Sequence, residues 1–176
     1  MVDAIERRAA VELRAEGRRL VGYAARFDTR AAVADFTESI AKGAFSASLA
    51  AGADVVALVD HDRGRLLART RSGTLRLAED DAGLRFDLDV PDTQLGHDTL
   101  ALVERGDMGG ASFSFVVPRG GDRWEGRDRT LVNVSLRDVS LVSAFPAYPE
   151  TSVSARSQGQ PRLPLALVRP YVELFR

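Results

Sequence analysis

Apolar and polar residues alternate along much of this chain, and the alternation predicts a fold made mostly of β-strands. In residues 84–90, leucine, phenylalanine and valine alternate with charged residues. Because successive side chains of a strand point to opposite faces, such a segment buries one face and exposes the other. Residues 75–77 alternate in the same way, and residues 80–83, which lie between these two alternating segments, are typical of a turn. We therefore predict a β-hairpin here.

The same criteria predict further strands and two helices. A second hairpin is predicted from residues 10–14 and 20–27, with its turn at Glu16-Gly17. Helix formers and capping residues predict short helices over 43–50 and 92–106. Further strands are predicted over residues 54–59, 112–117 and 131–142. The remaining stretches are predicted to be a loop at 28–42 and a polar loop or long hairpin tip at 118–130.

These elements predict an α+β fold, mainly an antiparallel β-barrel, closed or nearly closed, with a few helices. The predicted domain spans residues 1–155. The sequence pattern changes beyond this domain. Residues 157–161 (SQGQP) are typical of a linker, and the apolar residues of 163–176 follow neither a helical nor a strand periodicity. We expect residues 156–176 to form a tail that is mobile or docks on another surface.

Composition narrows the classes of function. The chain has 176 residues and a formal net charge of −1, so no overall field points to nucleic acid or to an anionic membrane. It contains no cysteine, which excludes disulfides, thiolate nucleophiles and cysteine-based metal sites. No signal-peptide core and no membrane-spanning run is found in the sequence. We expect a soluble, intracellular protein.

Two serines on the strand predicted around residue 112 are candidates for chemistry. Ser112 and Ser114 share one face of this strand, whereas Phe113 and Phe115 share the other. A strand that buries its aromatic face and turns hydroxyls into a crevice can present a nucleophile. The alternative interpretation is an ordinary sandwich strand with a polar outer face. The local pattern favours this alternative.

His61 is the candidate base, because it ends the apolar run 54–59 where a buried strand would meet a cleft. Histidine is the side chain best suited to accept a proton near neutral pH. Its neighbours Asp60 and Asp62 are expected to point away from it. The other histidine, His97, lies on the predicted helix 92–106 and is expected at the surface. A metal site built from both histidines has no ligand spacing to support it.

Asp138 interrupts the apolar strand predicted over 131–142. A buried carboxylate requires a partner. That partner is either an arginine in a structural salt bridge or a histidine that the carboxylate orients. The sequence pattern leaves both interpretations open.

Several segments in order resemble the prohead proteases of tailed bacteriophages, which are distantly related to herpesvirus assemblin. Residues 22–28 (GYAARFD) are similar to the family's early GYAAVFD strand, and residues 38–45 (ESIAKGAF) to its E.I..GAF segment. The resemblance continues through the segments 61–62, 83–84, 107–115, 138–142 and 145–149. It implies an assemblin-like fold.

The resemblance also implies a catalytic triad. The family's serine falls on Ser112, its histidine on His61 and its acid on Asp138. Ser114 replaces the glycine of the family's SxGF ending, so either hydroxyl is conceivable as the nucleophile, and the alignment favours Ser112. The family's acid is often glutamate, which is one methylene longer than Asp138. Ala68 stands where a glycine is expected after the histidine.

The implied function is a serine endopeptidase without a cofactor or metal, enclosed in an assembling procapsid in the bacterial host cytoplasm. Its expected substrates are the major capsid protein or a scaffold segment, and the protease itself. The tail, residues 156–176, is then the expected self-cleavage or targeting region. A homodimer is also implied, and neither nucleic acid nor membrane is an expected partner. The particle is a phage or a related gene-transfer particle. The alternative is a capsid-associated scaffolding module that kept the fold and lost catalysis. A metal-dependent hydrolase is a weaker alternative.

Overall fold

The computed structural model describes residues 5–10 and 13–143. This part of the chain contains thirteen strands and two helices. Their bounds are β1 Glu6–Ala10, β2 Leu13–Glu16, β3 Arg19–Arg26, β4 Ala31–Val33, β5 Phe36–Ile40, α1 Ser46–Ala50, β6 Val56–Val59, β7 Asp62–Arg69, β8 Leu75–Glu79, β9 Gly83–Asp89, α2 Gln94–Glu104, β10 Gly110–Val116, β11 Asp122–Glu125, β12 Asp128–Leu131 and β13 Ser135–Val142.

The strands form three hydrogen-bonded sheets. The first has the order β1-β10-β13-β6-β7, the second β11-β12-β5-β4 and the third β2-β3-β9-β8. Among the described strands, neighbours are antiparallel except for the parallel pairs β5–β12 and β6–β13. The fold is therefore strand-rich with few helices, as predicted. The predicted closed barrel is not found in the described residues, because the strands are divided among three separate sheets.

Both predicted hairpins are confirmed. Strand β2 pairs with β3, and β8 pairs with β9. As the alternation predicts, β9 buries one face: Leu84, Phe86 and Leu88 are fully buried. The carboxylate of Asp80 accepts hydrogen bonds from the backbone N–H groups of Ala82 and Gly83 and so stabilises the turn between β8 and β9.

The two predicted helices are present. In α2, the Thr93 hydroxyl accepts a hydrogen bond from the Gly96 N–H at 3.2 Å, which caps the N-terminus. Gly106 follows the helix with a φ of 78°, a conformation that suits glycine and ends the helix. Helix α1 is shorter than predicted, and its Ser48 hydroxyl accepts a hydrogen bond from the Leu136 N–H at 2.9 Å. This contact joins α1 to β13.

Three stretches differ from the prediction. The loop predicted at 28–42 contains β4 and β5, and neither β1 nor β7 was predicted as a separate strand. The region 118–130 contains the β11–β12 hairpin, which agrees with a long hairpin tip. Strand β5 pairs with β12, which is distant in sequence, so local alternation could not indicate this pairing.

The strand predicted over 131–142 is divided: β12 ends at Leu131 and β13 begins at Ser135. The strand predicted over 54–59 corresponds to β6. Residues 145–149 of the family resemblance and the predicted tail, residues 156–176, lie outside the described residues.

An aromatic cluster supports β10 from the core. The rings of Phe113 and Phe115 are stacked with centroids 5.0 Å apart, and Phe45 meets Phe113 edge-on at 5.3 Å. All seven residues of β10 are buried, including the serines on the other face. The polar face of β10 is therefore covered, unlike the solvated face of an ordinary sandwich strand.

Candidate active site

Strands β10 and β13 bring four polar side chains together on one face of the first sheet. Ser112 pairs with Ser140, and Ser114 pairs with Asp138. Directly opposed residues of two antiparallel strands project to the same face, so these side chains are neighbours.

A bulge in β13 makes this arrangement possible. Ser114 pairs with Asp138 and Phe115 with Leu136, which leaves Arg137 as the extra residue of β13. Because the extra residue changes the alternation, Leu136 and Val139 are both buried although they are three positions apart. Asp138 thereby turns away from the apolar core and towards the two serines.

His61 reaches this face from a tight turn between β6 and β7. Asp60 and His61 have φ angles of 52° and 57°, and the flanking residues Val59 and Asp62 pair with each other. Two central residues with positive φ are the signature of a type I′ hairpin turn, and both aspartate and histidine tolerate this conformation better than most residues. The turn therefore fixes the direction of the imidazole.

Contacts with β13 anchor the turn. The Asp60 N–H donates to the carbonyl oxygen of Leu141 at 2.9 Å, and the His61 N–H donates to Ser140 Oγ at 3.1 Å. Asp60 Oδ1 accepts from the N–H and the hydroxyl of Ser143. The carboxylate of Asp60 thus contacts Ser143, which directly follows β13, and Arg65 rather than the imidazole. Asp62 Oδ1 accepts from the Gly64 N–H.

The imidazole of His61 lies between Asp138 and Ser112. Nδ1 is 2.6 Å from Asp138 Oδ1, and Nε2 is 2.8 Å from Ser112 Oγ. A carboxylate accepts hydrogen bonds only, so the contact with Asp138 favours a hydrogen on Nδ1. The lone pair of Nε2 then faces the hydroxyl of Ser112. This chain of hydrogen bonds is the arrangement that activates a serine for acyl transfer.

Two further hydroxyls hold the carboxylate of Asp138. Ser114 Oγ donates to Oδ2, and Ser140 Oγ donates to Oδ1 at 3.2 Å. Burial by itself raises the pKa of Asp138. Hydrogen bonds from His61, Ser114 and Ser140, together with the charge of His61, outweigh burial, so that the pKa lies below its ordinary value. The carboxylate is therefore ionised near neutral pH.

The structure separates the two serines that the sequence left as alternatives. Ser112 contacts the imidazole, whereas Ser114 contacts the carboxylate. Sequence reasoning did not assign a role to Ser140, which links the backbone of His61 to Asp138. Its position two residues after Asp138 on the same strand was the signal that could have indicated it.

His97 lies apart from this constellation. Its side chain on α2 is 54% exposed, and its Nε2 is 2.8 Å from Asp92 Oδ1. This surface position agrees with the sequence-based expectation. Within the described ranges, no group of three or more histidine, aspartate or glutamate side chains is arranged to hold a metal ion.

A second feature that the sequence did not reveal is a buried group of charges, here called the β1 ion cluster: Glu6, Arg8, Glu38 and Arg129. Arg8 donates to both oxygens of Glu38 at 2.6 and 2.8 Å and to Glu6 at 2.9 Å. Arg129 donates to Glu6 at 2.7 and 2.9 Å and to Glu38 at 3.1 Å. The cluster joins β1 of the first sheet to β5 and β12 of the second.

Electrostatics within the cluster favour the charged forms of Glu6 and Arg129. Burial raises the pKa of Glu6, but the hydrogen bonds and positive charges of Arg129 and Arg8 exceed that effect and bring it below its ordinary value. Burial disfavours the charged guanidinium of Arg129, yet Glu6 and Glu38 raise its pKa overall. In the described part of the chain, no buried side-chain nitrogen or oxygen lacks a hydrogen-bond partner.

A family model described as caudovirus prohead serine protease matches residues 4–162. The chain belongs to this family. The match covers β1 through β13 of this prohead protease. No curated protein and no solved structure matches the chain. None of the described helices is long and apolar enough to cross a membrane.

Proposed function

We propose that this prohead protease is a serine endopeptidase in which Ser112 is the nucleophile, His61 the general base and acid, and Asp138 the group that orients the imidazole. The observation that carries the proposal is the continuous chain of hydrogen bonds from Ser112 Oγ through both imidazole nitrogens to the carboxylate. Membership of the prohead serine protease family supports the same chemistry.

The mechanism is a two-step acyl transfer. In the first step, Ser112 Oγ forms a bond to the scissile carbonyl carbon while His61 Nε2 takes the hydroxyl proton. The tetrahedral intermediate then loses the amine, to which His61 returns the proton as the C–N bond breaks. In the second step, a water molecule attacks the ester carbon and gives a proton to His61. His61 passes this proton to Ser112 Oγ as the C–O bond breaks and the acid is released.

Asp138 contributes through position and charge. Its carboxylate keeps the hydrogen on Nδ1 and stabilises the imidazolium that forms when His61 accepts the proton of Ser112. The hydroxyls of Ser114 and Ser140 hold the carboxylate in place and help to keep it ionised.

The substrate class follows from the family. We propose that the enzyme processes the major capsid protein or a scaffold segment inside the assembling procapsid, and that it also cleaves itself. A homodimer is part of this proposal and is tested by light scattering of the purified chain. The alternative is a scaffolding module without catalysis. A module of that kind has no need to keep the hydroxyl, the imidazole and the carboxylate in one hydrogen-bonded chain.

Ser112→Ala tests the function. Co-expressed with the capsid precursor, the wild-type chain should shorten the precursor, and Ser112→Ala should leave its intact mass unchanged. The removal of the nucleophile should reduce the rate by a factor on the order of 10⁴ or more. Unfolding curves of the two proteins should agree closely, which separates loss of catalysis from loss of fold. Continued trimming by Ser112→Ala would refute the assignment.

A further inference from the structure

The proposed nucleophile is almost completely covered. Ser112 is 3% exposed, although a nucleophilic oxygen must come within roughly 3–3.5 Å of the carbonyl carbon that it attacks. Besides His61, its hydroxyl contacts the carbonyl oxygen of Arg8 in β1, at 2.7 Å. In the described structure, strand β1 therefore stands where a substrate must approach Ser112.

The contact with β1 also competes for the hydroxyl hydrogen. The Ser112 hydroxyl carries one hydrogen, and both His61 Nε2 and the carbonyl oxygen of Arg8 lie within hydrogen-bond distance of its oxygen. A hydrogen donated to Arg8 is not donated to His61, and general-base catalysis requires the latter. If β1 is removed, His61 Nε2 remains as the acceptor for the hydrogen of the Ser112 hydroxyl.

The position of β1 allows another strand to replace it. It is the edge strand of its sheet and pairs antiparallel with β10 alone among the described strands. Edge strands are the positions at which an extended peptide adds to a sheet, because backbone hydrogen bonds supply affinity and alternate side chains supply specificity.

The charges of the β1 ion cluster permit such an exchange. If β1 leaves, Glu6 and Arg8 leave with it and become hydrated. Arg129 keeps its hydrogen bonds to Glu38 at 3.1 Å and to Asp122 at 2.9 Å, so it is not left buried without a partner. A buried ion pair contributes little net stability, because desolvation offsets much of the attraction. The cluster thus permits β1 to leave and selects what binds there, while the contacts of Arg8 still favour the position of β1 in the described arrangement.

The same cluster indicates the chemistry of the substrate. Arg8 offers its guanidinium to both oxygens of Glu38, and its charge lies 5.5 Å from the centre of the Phe115 ring. A replacing strand that carries arginine or lysine at the position of Arg8 would meet the carboxylate and the ring in the same way. An acidic residue there would face Glu38.

We propose that the β10 edge covered by β1 is the docking edge for substrate. In this proposal, an extended polypeptide segment with a basic residue at the Arg8 position displaces β1 and pairs antiparallel with β10. The described arrangement is then the closed state of the enzyme. This inference rests on the proposed function, because it names the substrate-binding surface of the same site.

Reaction with a small fluorophosphonate tests the closed state. Ser112 Oγ forms a bond to the phosphorus of the reagent as fluoride leaves, and the hydroxyl proton passes to His61. Arg8→Ala removes the contacts that hold β1 to Glu38 and should speed this reaction about tenfold or more. The matched control Arg76→Ala removes an arginine that binds Asp87 and Asp89 in the third sheet, and it should react like wild type.

The outcomes separate the two proposals. Equal and fast reaction of wild type and Arg8→Ala would overturn the docking edge and leave the proposed function standing. Reaction of none of the proteins would overturn the proposed function and the docking edge with it. Intact mass counts one adduct per chain and verifies that residues 1–10 remain attached, and peptide mapping places the adduct on Ser112.

Peptide binding gives a second test if Arg8→Ala fails to fold. A fluorescent peptide with the sequence of residues 3–13 should bind the wild-type chain and reduce the hydrogen-exchange protection of the β1 amides, while the amides of β13 stay protected. The same peptide with Arg8→Glu should not bind. Binding that leaves the β1 amides protected, or equal binding of both peptides, would overturn the proposal.

Discussion

The hydroxyl of Ser114 donates a hydrogen bond to Oδ2 of Asp138, the carboxylate oxygen that His61 does not contact. Two serines that look equivalent in the sequence therefore hold different places in the structure. Ser112 faces the base, and Ser114 supports the acid. The hydroxyl of Ser114 thus adds a donor to the carboxylate of Asp138.

Ser114→Ala should reduce activity without abolishing it. The variant keeps Ser112 and His61 but loses one charge-assisted hydrogen bond to Asp138, and we expect kcat to fall about tenfold. Cleavage of a peptide substrate between pH 4 and 8, with Ser112→Ala beside it, provides the measurement. A complete loss with Ser114→Ala and residual activity with Ser112→Ala would reverse the assignment of the nucleophile.

Asp138→Asn should lower kcat by a factor on the order of 10⁴ while the fold is retained. The amide can donate to Nδ1, which places the hydrogen on Nε2 and removes the lone pair that must accept the proton of Ser112. Asp138→Glu keeps a carboxylate and should be more active than Asp138→Asn despite its extra methylene. Single-turnover rates of both variants measure the effect. Equal activity of the two would argue against the orienting role.

The turn at Asp60 should tolerate asparagine and not valine. Asp60 has a φ of 52°, and its Oδ1 accepts from the N–H and the hydroxyl of Ser143. Asparagine keeps an acceptor and adopts positive φ, so Asp60→Asn should cost less than about 1 kcal/mol of unfolding free energy. Asp60→Val loses the acceptor and is β-branched, and should cost about 2–4 kcal/mol. Urea unfolding distinguishes the two, and equal midpoints would contradict the prediction.

Acid should destabilise the protein through Glu6 and Asp138. The folded pKa of each is below its unfolded value, which is near 4.5 for Glu6 and 3.8 for Asp138. Their stabilising contributions are fully present above those unfolded values and are lost as the pH falls through the folded ones. We expect the unfolding free energy to fall with pH below about 4.5, and Glu6→Gln to have a smaller slope. An unchanged slope in Glu6→Gln would contradict the role given to this carboxylate.

Excess chelator should leave the cleavage rate unchanged. The proposed mechanism uses a hydroxyl, an imidazole and a carboxylate, and the described residues contain no group of three or more histidine, aspartate or glutamate side chains able to hold a metal. The rate is measured before and after dialysis against EDTA. A loss of activity that zinc restores would support the metal-dependent alternative instead.

Elements that depend on local interactions could be predicted from the sequence alone. The alternation in residues 84–90 and the acceptor side chain of Asp80 specify the β8–β9 hairpin, and Thr93 and Gly106 delimit α2. Each of these signals lies within a few residues of the structure that it specifies. The family segments likewise indicated Ser112, His61 and Asp138 as one set.

The contacts between side chains of distant segments became visible in the folded chain alone. Strand β5 finds its partner β12 far along the chain, and the bulge at Arg137 turns Asp138 towards the two serines. The Arg8 carbonyl contacts Ser112 across a separation of 104 residues. Contacts between distant segments depend on sheet order and register, which arise from the packing of the whole core and leave no periodic trace in the sequence.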